Sequence, residues 1–255
     1  MSLLGYSYNS YCGAPPDVAL LWTRWNLDPV LICGLLAILA AHIVALRAAP
    51  TRRPFFVVGW TIGALALVSP LCALSVSLFT ARVGQHLILT MIAAPLIALG
   101  LPRFKPTRVP VDLIAATAFA AAMWFWHAPD PYLATFESVA VYWTMHVTTF
   151  GAALAFWVAI VSAPPSRMAR TVAVAIATGL QMAFLGATIA FSPHELYAPH
   201  LLTTWAWGLT PLQDQQLGGA IMWAPAGLIF AGAILAPLYA LLRRSPTAFA
   251  AATAG

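Results

Sequence analysis

The chain has 255 residues, 62% of them hydrophobic and only 7% charged, with a net charge of +5 and a mean hydropathy of +0.86. A soluble domain carries about 25% charged residues, so twelve basic and seven acidic side chains are too few to cover a water-soluble surface of this size. The apolar runs are continuous and not alternating, which excludes a β-barrel and leaves an all-α polytopic membrane protein.

The first 28 residues hold Tyr, Asn, Gly and Pro but no basic start followed by an apolar core, so they read as an outer N-terminal segment and not as a secretory signal. About 20 apolar residues cross a hydrocarbon core of roughly 30 Å. Seven segments approach that length: Pro29–Arg47, Phe55–Leu71, Ala81–Leu99, Val111–Trp126, Val139–Ser162, Arg167–Phe191 and Leu217–Leu242. Between them stand helix breakers, at Ala49-Pro50, Leu101-Pro102, Ala128-Pro129, Ala163-Pro164-Pro165 and Ser192-Pro193. The expected organisation is an outer segment over 1–28, a seven-helix domain over 29–242 and a tail over 243–255.

Basic residues sort by loop. Arg47, Arg52 and Arg53 follow the first span, Arg103, Lys105 and Arg108 the third, Arg167 and Arg170 the fifth, and Arg243 and Arg244 the last. Only Arg24 and Arg82 fall on the other side. The positive-inside rule then places the N-terminus outside and the C-terminus in the cytoplasm of a cell (plasma or inner) membrane. The positive charge is thereby explained by sidedness, and nucleic-acid binding is not needed to account for it. Tryptophan and tyrosine near the span ends, including Trp22, Trp25, Trp124, Trp126, Tyr142, Trp143, Trp205, Trp207 and Trp223, read as an interfacial belt.

Sidedness gives each polar residue a depth. His86, His127 and His146 lie in the outer half of their spans, His194 and His200 in an outer loop, and only His42 lies toward the cytoplasmic end. Ionisable groups inside spans are functional candidates by default. The bland alternative for each histidine is a hydrogen-bonded structural residue, and for each nearby methionine (Met91, Met145, Met222) core filling. Imidazole together with thioether favours copper, above all Cu(I), over hard cations. Asp214 opens the last span, as a helix cap or as a partner of the histidines, and Gly218-Gly219 provides a close-packing face. Cys12, Cys33 and Cys72 have no metal-ligand spacing; Cys33 reads as a small hydrophobe packed within a helix, and a disulfide is open to Cys12 and Cys72 on the outer side. There is no GxSxG or HExxH motif to support a hydrolase. With only His42 in the cytoplasmic half, a polar path for a transporter is not continued.

The stretches Gln85-His86-Leu87, Ala93-Ala94-Pro95-Leu96-Ile97-Ala98-Leu99-Gly100, Trp126-His127-Ala128-Pro129 with Tyr132, His146 ahead of Gly151 and Trp157, and Pro211-Leu212-Gln213-Asp214-Gln215-Gln216-Leu217-Gly218-Gly219-Ala220-Ile221-Met222-Trp223 resemble the seven-span CtaG family of cytochrome c oxidase assembly proteins. The likeness runs from about Leu78 to Leu242, and the last motif is its most specific part. It implies a non-enzymatic assembly role with a cytochrome c oxidase subunit as partner, and copper as the metal supplied. The ligand set expected for it is His86, His127, His146, Asp214 and Met222. The alternatives are a metal-free scaffold and a haem protein with two axial histidines. The chain departs from the family pattern His-Met-x-Gln-His, with Arg82 and Val83 in the leading places, and it has Met145 where glutamate is common. Both changes point to a softer Cu(I) site or to scaffolding.

Overall fold

The computed structural model describes residues 10–45, 50–102, 110–223 and 232. All regular structure among these residues is helical. We number the helices α1 (Pro29–Ala45), α2 (Arg53–Val68), α3 (Leu71–Ser77), α4 (Phe79–Gly100), α5 (Val111–His127), α6 (Pro129–Glu137), α7 (Val139–Val161), α8 (Met168–Ala190) and α9, residues 211–223. The expected seventh span beyond residue 223 and the tail over 243–255 lie outside the described residues.

Of the seven expected spans, the described residues show three to five. Among them α4, α7 and α8, of 22, 23 and 23 residues, are each long and apolar enough to cross a bilayer, and two bent pairs raise the number to five. Proline is the cause of both bends. Ser69-Pro70, at the end of the second expected span, separates α2 from α3 at 49°, and Ala128-Pro129 turns α5 into α6 at 74°. The described part of α1 has 17 residues, about 26 Å at 1.5 Å per residue.

A helix that breaks in an apolar setting must still satisfy its last carbonyls. At the end of α2 each has a donor. Ser69 N–H reaches Leu65 O, Gln85 Nε2 donates to Ala66 O at 2.8 Å, Asn26 Nδ2 to Leu67 O at 3.3 Å, and Asn26 N–H to Val68 O at 2.8 Å. Gln85, in the family-like stretch, is therefore a cap for a neighbouring helix.

Helix α4 is central, with 67% of its apolar window buried against 33% and 39% for α7 and α8. It packs on α2 and α7, while α5 packs on α7 and α8. Its middle, Ile88–Ala93, is wound as a π-helix. Pro95 explains the irregularity, because proline has no N–H with which to continue the ladder. In a π turn the Thr90 carbonyl would look to residue 95 and find no donor. Trp157 Nε1 on α7 supplies one instead, at 2.8 Å.

The expected aromatic belt is divided. Trp22, Trp25, Trp205 and Trp223 are exposed, but Tyr142 and Trp126 are buried, the latter donating from Nε1 to Thr148 Oγ1 at 2.9 Å. Cys33 lies within α1, where it is exposed. Cys12 and Cys72 form a disulfide that ties the N-terminal segment to the start of α3.

Candidate functional site

Three helices each bring one histidine to a common point. His86 of α4 stands with its ring centre 5.3 Å from that of His146 on α7 and 6.1 Å from that of His127 at the end of α5. All three are 6% exposed. The α-helical i−4 carbonyl orients two of them: His127 Nδ1 lies 2.7 Å from Met123 O, and His146 Nδ1 lies 3.1 Å from Tyr142 O. A ring that donates its Nδ1–H to a carbonyl carries a bare lone pair on Nε2, the arrangement in which histidines bind metals. His146 Nε2 and His86 Nε2 are buried without a hydrogen-bond partner among the described residues.

Ring spacing tests whether this group fits an ion. A metal about 2 Å from a ring nitrogen lies roughly 3 Å from the ring centre, so two rings sharing one ion have centres up to about 6 Å apart. The His86–His146 pair, at 5.3 Å, lies within that limit, and the His86–His127 pair, at 6.1 Å, lies at its edge. Among the described residues, no group of three or more His, Cys, Asp and Glu side chains is already in ion-holding geometry. The ring spacing alone therefore leaves room for one ion between His86 and His146.

Arg82, one turn before His86 on α4, is 1% exposed. Its guanidinium carbon lies 4.4 Å from the ring centre of Phe136, 5.0 Å from that of Tyr132 and 5.7 Å from that of Tyr142. Nη2 donates to Thr135 Oγ1 at 2.5 Å and lies 3.7 Å from Met145 Sδ. No carboxylate forms an ion pair with it among the described residues. Aromatic faces therefore hold its charge where an anion would be expected. Met145 is buried against this guanidinium, which accounts for its place beside His146.

Asp214 and Met222 are not brought to the histidines. Asp214 was expected as the cap of its own helix; that task belongs to Thr210 and Gln213. Thr210 Oγ1 accepts from Gln213 N–H at 3.1 Å, and Gln213 Oε1 accepts from Thr210 N–H at 2.9 Å, a reciprocal capping box. Asp214 caps α4 instead. Its Oδ2 accepts from Phe79 N–H at 2.6 Å and its Oδ1 from Thr80 N–H at 3.1 Å. Gln215 serves a third element: Oε1 accepts from Leu196 N–H at 2.6 Å, and Nε2 donates to His194 O at 3.1 Å and Ile189 O at 3.3 Å. One cap would not explain the polar run, but Gln213, Asp214 and Gln215 each serve a different helix end. Met222 packs in the main core, beside Gly186.

Sequence reasoning missed the polar and aromatic residues that flank the histidines. His200, in the short 3-10 helix Ala198–His200, is 2% exposed and shares a 2.6 Å hydrogen bond with the Tyr132 hydroxyl. Burial, with the nearby Arg82 charge, lowers its pKa to about 3. Tyr11 stacks on Tyr142 at 5.0 Å and meets Trp143 edge-on at 4.9 Å. Its hydroxyl donates to Asp28 Oδ2 at 2.5 Å; burial and that carboxylate push its pKa up to about 12. Tyr142 and Trp143 were a usable signal that the belt reading absorbed, and Tyr11 stood outside that reading.

His42 stands apart from the cluster, stacked on Phe56 at 4.2 Å. His194 lies in an exposed turn, its N–H donating to Ser192 Oγ at 3.3 Å.

No curated protein and no solved structure matches the chain significantly. A family model described as cytochrome c oxidase caa3 assembly factor matches residues 35–244, a span that holds α2 to α9 and all three clustered histidines. The chain belongs to the cytochrome c oxidase caa3 assembly factor family.

Proposed function

We propose that this chain assists maturation of a cytochrome c oxidase by holding copper as transient cargo on His86, His127 and His146, at the outer side of the cell membrane. The sorting of Arg and Lys among the loops supports that sidedness, with the N-terminus outside. The observation that carries the copper reading is the pair of buried, unpartnered Nε2 atoms on His86 and His146 with ring centres 5.3 Å apart. Buried polar atoms are ordinarily satisfied, and a soft ion would satisfy both at once. The neighbouring Arg82 disfavours a divalent ion more than a monovalent one, which selects Cu(I). Asp214 and Met222, sequence candidates for the same site, act at a distance by holding α4 and α8 in place. The role is non-catalytic: a loaded ion is passed to an oxidase subunit without bond chemistry.

The test is Cu(I) uptake by the purified protein in detergent. One ion per chain is expected, and none in the double variant H86A/H146A with an unchanged circular dichroism spectrum. Equal copper content in the double variant would overturn the assignment.

A metal-free scaffold is the second reading, and Arg82 is the observation that favours it, since a fixed cation beside three imidazoles opposes any metal. Oxidase maturing normally in cells that carry H86A/H146A would establish it. A Soret band in freshly purified protein would replace both readings with a bis-histidine haem.

A further inference from the structure

The Cys12–Cys72 disulfide meets the hydroxyl of Tyr142, whose ring packs on His146, and its two sulfurs differ in setting. The Tyr142 hydroxyl is 3.4 Å from Cys12 Sγ and 3.9 Å from Cys72 Sγ. The Tyr142 ring in turn lies 4.3 Å from that of His146. Cys72 is 1% exposed, whereas Cys12 is only half-buried. Beside Cys72 Sγ stands a second donor, Asn26 Nδ2 at 3.7 Å. The segment that Cys12 anchors also places Tyr11 on Tyr142 and Trp143, the two aromatic side chains that cover His146.

We propose that the Cys12–Cys72 disulfide is a thiol–disulfide exchange site for a dithiol, and that its reduction unlatches the N-terminal segment from the histidine group. The asymmetry sets the direction of attack. A thiolate of the incoming dithiol bonds to the accessible Cys12 Sγ, and the Cys12–Cys72 bond breaks. Cys72 leaves as a thiolate, met by the Asn26 amide and the Tyr142 hydroxyl as donors; a stabilised leaving thiolate speeds exchange. The second thiol of the reagent then displaces Cys12, and two protons pass to the cysteines. The dithiol is oxidised by two electrons to a disulfide, and the cysteine pair is reduced by the same two. With the tether cut, Tyr11 is held over Tyr142 by ring contacts and by hydrogen bonding to Asp28. The histidine group then opens more often.

The unlatching half rests on the copper reading above; the exchange half does not. The test uses the full chain in detergent with Cys33→Ser, so that only the pair reports. Dithiothreitol at millimolar concentration should make both cysteines alkylatable by a maleimide while the circular dichroism spectrum is unchanged. Cys72→Ser should trap a glutathione mixed disulfide on Cys12, and Cys12→Ser should trap far less on Cys72. Transfer of bound Cu(I) to bicinchoninate should be about tenfold faster after reduction, as expected when a local opening is released. Cysteines that resist dithiothreitol until the protein unfolds would overturn the proposal and leave a static staple. Rapid reduction with an unchanged Cu(I) transfer rate would overturn the latch alone. Failure to bind Cu(I) in either state would overturn the copper reading, with the alkylation result still deciding the exchange site.

Discussion

Gly186 of α8 and Gly219 of α9 bring two helix backbones into direct contact. A Cβ on Gly219 would lie 2.6 Å from Ala190 N and 2.7 Å from Gly186 O, and one on Gly186 would lie 2.8 Å from Gly219 O. These neighbours are backbone atoms and cannot swing aside. One residue earlier, a Cβ on Gly218 would meet the Phe79 ring at 2.4 Å. The Gly-Gly pair thus fixes α9 against α8 on one side and against the start of α4 on the other, as small residues do where helices pack in lipid.

Gly219→Ala is expected to lower stability by about 1–3 kcal/mol through overpacking, read as a lower midpoint of thermal unfolding in detergent. Gly84→Ala is the control, because nothing lies within 4 Å of its Cβ. An equal effect at both sites would show that the α8–α9 contact is not limiting.

Asp214→Ala removes the acceptor of two backbone N–H groups at the start of α4. The expected loss is about 1–2 kcal/mol, the range for a helix N-cap. Copper stoichiometry should not change. A fall in bound Cu(I) at full stability would place the carboxylate at the metal and refute its assignment as a cap.

Trp157→Phe keeps the aromatic volume but withdraws the N–H donated to Thr90 O. A buried carbonyl left without a partner costs about 1–3 kcal/mol. Thermal unfolding reads the loss. Restoring a regular ladder with Pro95→Ala in the same chain should recover part of it, since residue 95 then carries its own N–H.

Arg82→His places a second imidazole one turn from His86 and removes a buried cation. Tighter Cu(I) binding by about tenfold or more is expected from loss of the repulsion, measured by competition with bicinchoninate. Unchanged affinity would mean that the aromatic cage already isolates the guanidinium from the histidines.

His200 makes stability depend on pH. Its folded pKa is lowered to about 3 by burial, against about 6.5 unfolded. Above pH 6.5 neither state binds the proton, and stability is at its full value. As pH falls from 6.5 toward 3 the unfolded chain takes up a proton that the folded chain refuses. Stability then falls by up to about 1.4 kcal/mol per pH unit for this one group. His200→Gln should reduce the slope by one proton in that window; equal slopes in variant and parent would refute the burial effect.

The sequence by itself determined the solvent, the helical class and the candidate histidines, because these depend on local quantities. An apolar run declares a lipid environment wherever the chain goes next, and a histidine inside such a run needs a reason. Proline positions were legible too, but not their consequence. Whether Pro70 and Pro129 end a span or bend one depends on whether distant donors such as Gln85 and Asn26 arrive to satisfy the broken end, and Pro95 makes a π segment only because Trp157 faces it. The tertiary structure alone decided which polar residues meet. Asp214 and the histidines share a resemblance and, by sequence, a side of the membrane, yet only His86, His127 and His146 converge. A helix end with free N–H groups claims the nearest carboxylate, and the end nearest Asp214 belongs to α4.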